Sequence, residues 1–315
     1  MVHQSNIFLY DTEKIPGYYK VFAFIKHIDN SVLIYKSPPI FSNPVAVSQN
    51  YFPNDPGILT CSIKTSNYNF SALYFPPPPE GKNNLLVMLP SAVDRNSMEL
   101  PFFNRWTWAL EGFFPGHVFC IADPTLEANE KLSLGWLIGS KKKDATEDFA
   151  NFIKEFAKAK KIPRERIVFY GSSAGGFAAL ACAAHVEGAT AVAINSQTEA
   201  LFYENLHQVS LVKKFCFETE SAEEINCEFR DRISMPNRWK NVQESKAFIV
   251  QNKNDDHHYK EHFLPFLRSL GGTPQPGIFH IGKHTFWLYE SPGGHISETK
   301  EMAKLIISMI FKNHH

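Results

Sequence analysis

Cysteine is scarce and unpatterned in this chain. The five residues, Cys61, Cys120, Cys182, Cys216 and Cys227, are odd in number and show no C-x-x-C spacing. They offer no disulfide framework, and in apolar strand or helix patterns a free thiol behaves as a small hydrophobe. An excess of charge is also lacking: 32 Lys and Arg face 32 Asp and Glu, for a net charge of zero with neutral histidines. A general nucleic-acid surface is thereby excluded, and the longest basic run, Lys141-Lys142-Lys143, reads as a solvated loop. No apolar run approaches the roughly 18 residues of a membrane span, so no membrane span is expected. Residues 1–10 lack a charged segment followed by an apolar one, so no signal peptide is expected and the natural setting is cytoplasmic.

What is present is a large apolar share, 44% over 315 residues, including 27 phenylalanines. That suffices for one large domain, or a domain with a small appendage.

The segment that organises the rest is Arg166-Ile167-Val168-Phe169-Tyr170-Gly171-Ser172-Ser173-Ala174-Gly175-Gly176. A short apolar strand runs into a glycine-flanked turn and an alanine-rich helix. Gly171-Ser172-Ser173-Ala174-Gly175 fits G-x-S-x-G, in which a serine sits on a sharp strand-to-helix turn. Such a turn needs nearly side-chain-free neighbours two residues to either side, and only Ser173 has them. Ser172 is the competing nucleophile.

Around this turn the chain alternates strand and helix. A β-rich extension is expected over 1–56, with strands at Tyr19–Ile25 and Ser31–Tyr35 about an Asp29-Asn30 turn, and a third at Val45–Val47. A hairpin at Ile58–Ile63 and Phe70–Phe75 precedes the polyproline connector Pro76–Pro79. Buried strands follow at Leu85–Leu89, Val118–Ala122, Ala191–Ile194 and Ala247–Val250, with Gly277–Ile281 as the last. Asp144 caps a helix whose Phe149, Phe152, Ile153 and Phe156 recur at helical spacing. Residues 201–245 look like a lid-forming insertion, and a terminal helix is expected over Glu298–Phe311. The predicted fold is α/β: a mostly parallel sheet covered by helices on both faces, spanning 57–315. Ligands bind beyond the carboxyl ends of such strands, where the polar clusters of this sequence fall.

A serine hydroxyl needs a base, usually a histidine oriented by a carboxylate, and in this topology the chain order is serine, acid, histidine. Ser173, Asp255 and His295 satisfy that order and lie at strand ends. Asp256 competes with Asp255 for the acid. The oxyanion would meet the backbone N–H of Ala174 and a second N–H after the Leu85–Leu89 strand, from Ala92 or Ser91. Candidate substrate contacts are Ser91, Arg95, Arg105, Gln197 and His258. His258-Tyr259-Lys260-Glu261-His262 also matches H-x-x-E-H, a zinc-peptidase pattern. No third ligand follows it in an obvious place, and no metal is expected.

The elbow with Ser173, Asp255 and His295 resembles the α/β-hydrolase superfamily. The resemblance implies a serine nucleophile, an acyl-enzyme, and no metal or tightly bound cofactor. Phe103-Asn104-Arg105-Trp106, Asp123-Pro124-Thr125-Leu126, Gly135-Trp136, Asn195-Ser196-Gln197-Thr198, and Gln251-Asn252 with His257-His258 resemble hydrolase-like proteins of bacterial surface-glycan and capsule loci. The O-acetyltransferases of accessory Sec systems are of that kind. That likeness implies an O-acyl group of a polysaccharide or other carbohydrate as the target, with an O-acetyltransferase or esterase activity. Acetyl-CoA would be the co-substrate of a transferase. Expected partners are a small ester or acyl donor and a polysaccharide acceptor, not nucleic acid. A general carboxylesterase, thioesterase or peptidase, and a non-catalytic glycan-binding scaffold, are the alternatives.

Overall fold

The alternation of apolar strands with helices produces one dominant sheet. The computed structural model describes residues 59–78, 83–114 and 116–312, preceded by the strands Ser5–Asp11, Tyr18–Lys26, Val32–Lys36, Ile40–Phe41 and Val45–Val47. The first four of these pair into a separate antiparallel sheet. The expected Asp29-Asn30 turn and Pro79 lie outside the described residues.

Among the described residues the main sheet holds ten strands. Its order is Gly277–Ile281, His284–Tyr289, Lys246–Asn252, Thr190–Ile194, Ile167–Ser172, Leu85–Met88, His117–Ile121, Asn69–Phe75, Leu59–Lys64 and Val45–Val47. The run from His284–Tyr289 to His117–Ile121 is parallel throughout. The protein therefore has the α/β-hydrolase type of fold that the strand pattern implies. Val45–Val47, from the segment read as an extension, pairs in parallel with Leu59–Lys64 and joins this sheet.

Both faces are covered, as the continuous apolar strands require. On one face Phe149, Ile153 and Phe156 of helix Ala145–Ala159 pack with Phe177 and Leu180 of helix Ala174–His185. The Asp144 side chain caps the first of these helices, accepting from the N–H groups of Thr146 and Glu147. On the other face Ala303, Ile306 and Ile307 of helix Lys300–Lys312 cover Tyr170 and Val192.

Two expectations need correction. Gly277–Ile281 is an antiparallel edge strand, and a further strand, His284–Tyr289, follows it. The turn residue Gly282 has φ of 56°, and the alternating burial of His284–Tyr289 is that of a strand with one face toward the core. The terminal helix begins at Lys300, which leaves Glu298 ahead of it, buried in an otherwise mostly exposed loop. The 201–245 segment contains helices Leu206–Cys216, Ala222–Glu228, Arg230–Ile233 and Met235–Arg238, and it anchors by Trp239, whose Nε1 donates to the Leu180 carbonyl at 3.2 Å.

Burial also predicts an acid sensitivity. It pushes His117 and His284 down to about 4 from an ordinary 6.5, with Lys160 and Lys283 respectively adding to the effect. The folded chain thus keeps both neutral at pH values where the unfolded chain takes up protons. Their stabilisation is complete above the ordinary value and drains as pH falls from there toward 4. Melting at pH 5 is expected several degrees below melting at pH 7, and replacing either histidine with glutamine should shrink that difference.

Candidate active site

The six parallel strands end at one edge, and the site is built from the loops there. Ser173 follows Ile167–Ser172 directly and precedes helix Ala174–His185. Its φ of 53° and ψ of −123° are strained for a residue with a side chain, at a cost of about 1–3 kcal/mol. The strain is held by packing. Ser173 N donates to the Ile194 carbonyl at 2.9 Å. A Cβ on Gly171 would stand 2.2 Å from the Gly175 carbonyl oxygen, and one on Gly175 would stand 2.8 Å from that of Leu89. The glycines at both positions are therefore a steric requirement.

Ser173 Oγ lies 3.2 Å from His295 Nε2, and His295 Nδ1 lies 2.6 Å from Asp255 Oδ2. The structure brings these three together, with Asp255 buried and His295 exposed. Burial opposes the Asp255 carboxylate, but hydrogen bonds and charge from His258 and His295 outweigh it and hold the carboxyl well below its usual range. Asp256 points away, to Lys260 Nζ at 2.7 Å.

Ser172 faces the opposite way from Ser173. Its Oγ accepts from Arg105 Nη2 at 2.7 Å, in a buried cluster where Arg105 Nε also meets Glu298 Oε1 at 2.7 Å. Tyr170 donates its hydroxyl to Glu298 at 2.8 Å. The Arg105 and Glu298 side chains are only 9% and 0% exposed, so Arg105 braces the elbow strand from behind. Arg105, expected as a substrate contact, directs its guanidinium to Ser172 and Glu298.

The loop carrying His295 is held by asparagines at strand ends. Asn252 accepts from Ser291 N and donates to the Ser291 and Gly294 carbonyls, the last at 2.8 Å. Asn195 donates to Ile296 O at 2.8 Å and to Tyr289 Oη. Sequence reasoning marked these strand ends as polar without assigning them this task. Glu298 and Tyr170 carried no sequence signal at all.

Ala174 opens its helix, so its N–H has no acceptor within that helix. Of the two expected second oxyanion donors, Ser91 N is already committed to Asn104 Oδ1 at 2.8 Å, while its hydroxyl donates to the Ser172 carbonyl. Ala92 stands exposed beside it. From Ala92 a cleft of about 690 Å³ extends past Asp94, Arg95, Asn96, Glu130 and Lys131. Arg95 lies in this cleft, with a buried Nη1 that has no hydrogen-bond partner among the described residues.

Gln197, expected as a substrate contact, meets Ser173 itself, and His258 lies directly behind it. Gln197 Nε2 lies 3.0 Å from Ser173 Oγ and 2.7 Å from His258 Nε2. His258 Nδ1 lies 3.0 Å from Asp255 Oδ1, and its ring stacks on His295 with centroids 4.0 Å apart. Burial lowers the His258 pKa, against the hydrogen bond to Asp255, which raises it. The H-x-x-E-H histidines lie on a π-helical turn, His258–Phe263, just before Pro265, which has no N–H to extend an α-helical ladder. Both nitrogens of His258 are engaged, and His262 Nδ1 accepts from Thr198 N. His262 Nε2 is buried without a hydrogen-bond partner among the described residues. Asp255, His258 and His295 do bring one ligand-type atom each within 4.8 Å, but the hydrogen bonds above already join all three residues.

Comparisons with known proteins agree with this fold. The sequence profile of the prolyl oligopeptidase family matches residues 134–307. No curated protein matches the sequence significantly. Dipeptidyl peptidase 4 of Porphyromonas gingivalis superposes with a TM-score of 0.58 at 14% identity, over 94% of this chain and 42% of that one. A capsule O-acetyltransferase of Neisseria meningitidis serogroup A superposes at 0.54 and 14%, over 81% and 96%. An acetyl xylan esterase from Paenibacillus sp. R4 superposes at 0.52 and 11%, over 98% and 88%. The chain spans less than half the length of the puromycin hydrolase and dipeptidyl peptidase structures it matches.

Proposed function

The chain belongs to the prolyl oligopeptidase family, and from that premise we propose that it is a serine acyl-transfer enzyme acting through an acyl-enzyme. The observation that carries this reading is the chain of contacts from Ser173 Oγ to His295 to Asp255, at 3.2 and 2.6 Å, on a strained elbow. Ser173 attacks the acyl carbon while His295 Nε2 takes its proton. Asp255 holds the Nδ1–H tautomer and stabilises the imidazolium that forms. The oxyanion is met by the N–H of Ala174 and by that of Ala92. His295 then returns the proton to the leaving group, the alcohol oxygen of an ester or the sulfur of CoA, and an acceptor hydroxyl repeats the sequence in reverse.

The acyl group proposed is an acetyl or similar O-acyl group of a carbohydrate. Support comes from the capsule O-acetyltransferase and the acetyl xylan esterase, which this chain matches over nearly their whole length. A mutant of that acetyltransferase was also crystallised in complex with CoA, which favours acetyl-CoA as donor in the transferase version. The polar cleft beside Ala92 gives the acceptor or donor a place to lie. The test is acetyl release from acetyl-CoA and from acetylated xylan, each with and without a deacetylated polysaccharide. A transferase shows release that depends on the acceptor and an acetylated product. An esterase releases acetate from the xylan whether or not an acceptor is present. Cleavage of neither donor, with hydrolysis of peptide substrates, would replace this reading by the peptidase one.

A further inference from the structure

Ser173 Oγ has a neighbour that the three-residue relay does not use. Gln197 lies between it and His258, and the orientation of its carboxamide is determined from the far side. Trp136 Nε1 can only donate, and it meets Gln197 Oε1 at 3.2 Å. The amide nitrogen therefore faces Ser173 Oγ at 3.0 Å and His258 Nε2 at 2.7 Å, giving one hydrogen to each. Acceptance at Nε2 leaves the His258 proton on Nδ1, which donates to Asp255 Oδ1 at 3.0 Å. Asp255 Oδ2 accepts from His295 Nδ1 at 2.6 Å, and His295 Nε2 accepts the Ser173 hydroxyl at 3.2 Å. The five residues close a ring in which each proton has one direction. Gln197, His258 and Trp136 are 0%, 1% and 1% exposed, so water does not compete for these bonds.

We infer that Gln197 is a catalytic residue of the second half-reaction, stabilising Ser173 Oγ as the departing oxygen when the acyl group passes to its acceptor. This rests on the acyl-enzyme reading above. In that step the acceptor hydroxyl gives its proton to His295 Nε2 and its oxygen bonds the acyl carbon. The carbon–Oγ bond breaks with its electron pair left on Oγ, which takes the proton back from His295. The bridging oxygen of an ester is a weak acceptor, because its lone pair is shared with the carbonyl. A departing alkoxide or a free hydroxyl is a strong one. The Gln197 N–H bond is therefore stronger in the transition state and the free enzyme than in the acyl-enzyme, and it speeds loss of the acyl group. His258 is a positioning residue that holds the second hydrogen and keeps the amide aimed.

The experiment uses p-nitrophenyl acetate with wild type, Gln197→Glu and Gln197→Met. Gln197→Glu keeps an acceptor for Trp136 and loses the donor, while Gln197→Met removes the donor without adding charge. Rapid mixing gives acylation from the nitrophenol burst and deacylation from the steady state, and intact mass follows the acetyl group. Deacylation is expected to slow on the order of tenfold to a hundredfold, with acylation within about threefold, so acetyl-Ser173 accumulates in the variants. Equal slowing of both steps, or unchanged deacylation in either folded variant, overturns the inference. Turnover undiminished in Ser173→Ala would instead overturn the acyl-enzyme reading, and this inference with it.

Discussion

Replacing Ser173 with alanine is expected to lower ester turnover by a factor on the order of 10⁴–10⁶, while Ser172→Ala leaves it within about tenfold. The two serines are adjacent, and sequence separates them only through the glycines at 171 and 175. The structure separates them by direction. Ser173 Oγ faces His295, whereas Ser172 Oγ is turned inward to the Arg105 guanidinium. Removing Ser173 deletes the bond-forming atom, and what activity survives is that of water in an oriented site. Removing Ser172 deletes its hydrogen bond to the Arg105 guanidinium and a longer one to Ser91, worth about 1–3 kcal/mol of stability. Steady-state kinetics with p-nitrophenyl acetate, alongside melting curves, distinguishes these outcomes.

The largest expected effect on stability lies at the brace behind the elbow. Arg105→Ala should destabilise the fold by about 3–5 kcal/mol, because it leaves Glu298 charged, buried and paired only with the Tyr170 hydroxyl. The ion pair itself need not be strongly stabilising. Its partners have given up water, and the attraction between them roughly offsets that loss. A double replacement, Arg105→Met with Glu298→Leu, is therefore expected to recover most of the stability lost in the single variant. It should not recover full activity, since Ser172 and the elbow strand lose the guanidinium that holds them. Chemical denaturation of the wild type, both single variants and the double gives the coupling directly.

How much of this was legible in sequence depends on how local the signal is. The elbow was legible because its geometry is imposed by residues two apart, and Gly171 and Gly175 are needed wherever the turn occurs. The helix from Ala145 was legible because its cap and its apolar period lie within one segment. The order of Ser173, Asp255 and His295 followed from topology, since each ends a parallel strand or follows one. The ring through Gln197 and His258 was not legible. It needs two strand-end loops, a π-helical turn and Trp136 to meet, and none of these fixes another's position locally. Arg105, expected as a substrate contact, was opaque for the same reason: only the fold reveals that it meets Glu298, 193 residues away. The strand His284–Tyr289 was missed because its hairpin turn is a single Gly282-Lys283 pair, too short to stand out.

The measurement that bears most directly on the central claim is the site of modification by a fluorophosphonate probe, read by peptide mass spectrometry in wild type, Ser173→Ala and Ser172→Ala. The account predicts one phosphonylated serine, Ser173, in the wild type and in Ser172→Ala. It predicts none in Ser173→Ala, and labelling of the wild type that falls sharply in His295→Ala. A phosphonate on Ser172, or labelling of Ser173 that is indifferent to loss of His295, would contradict it.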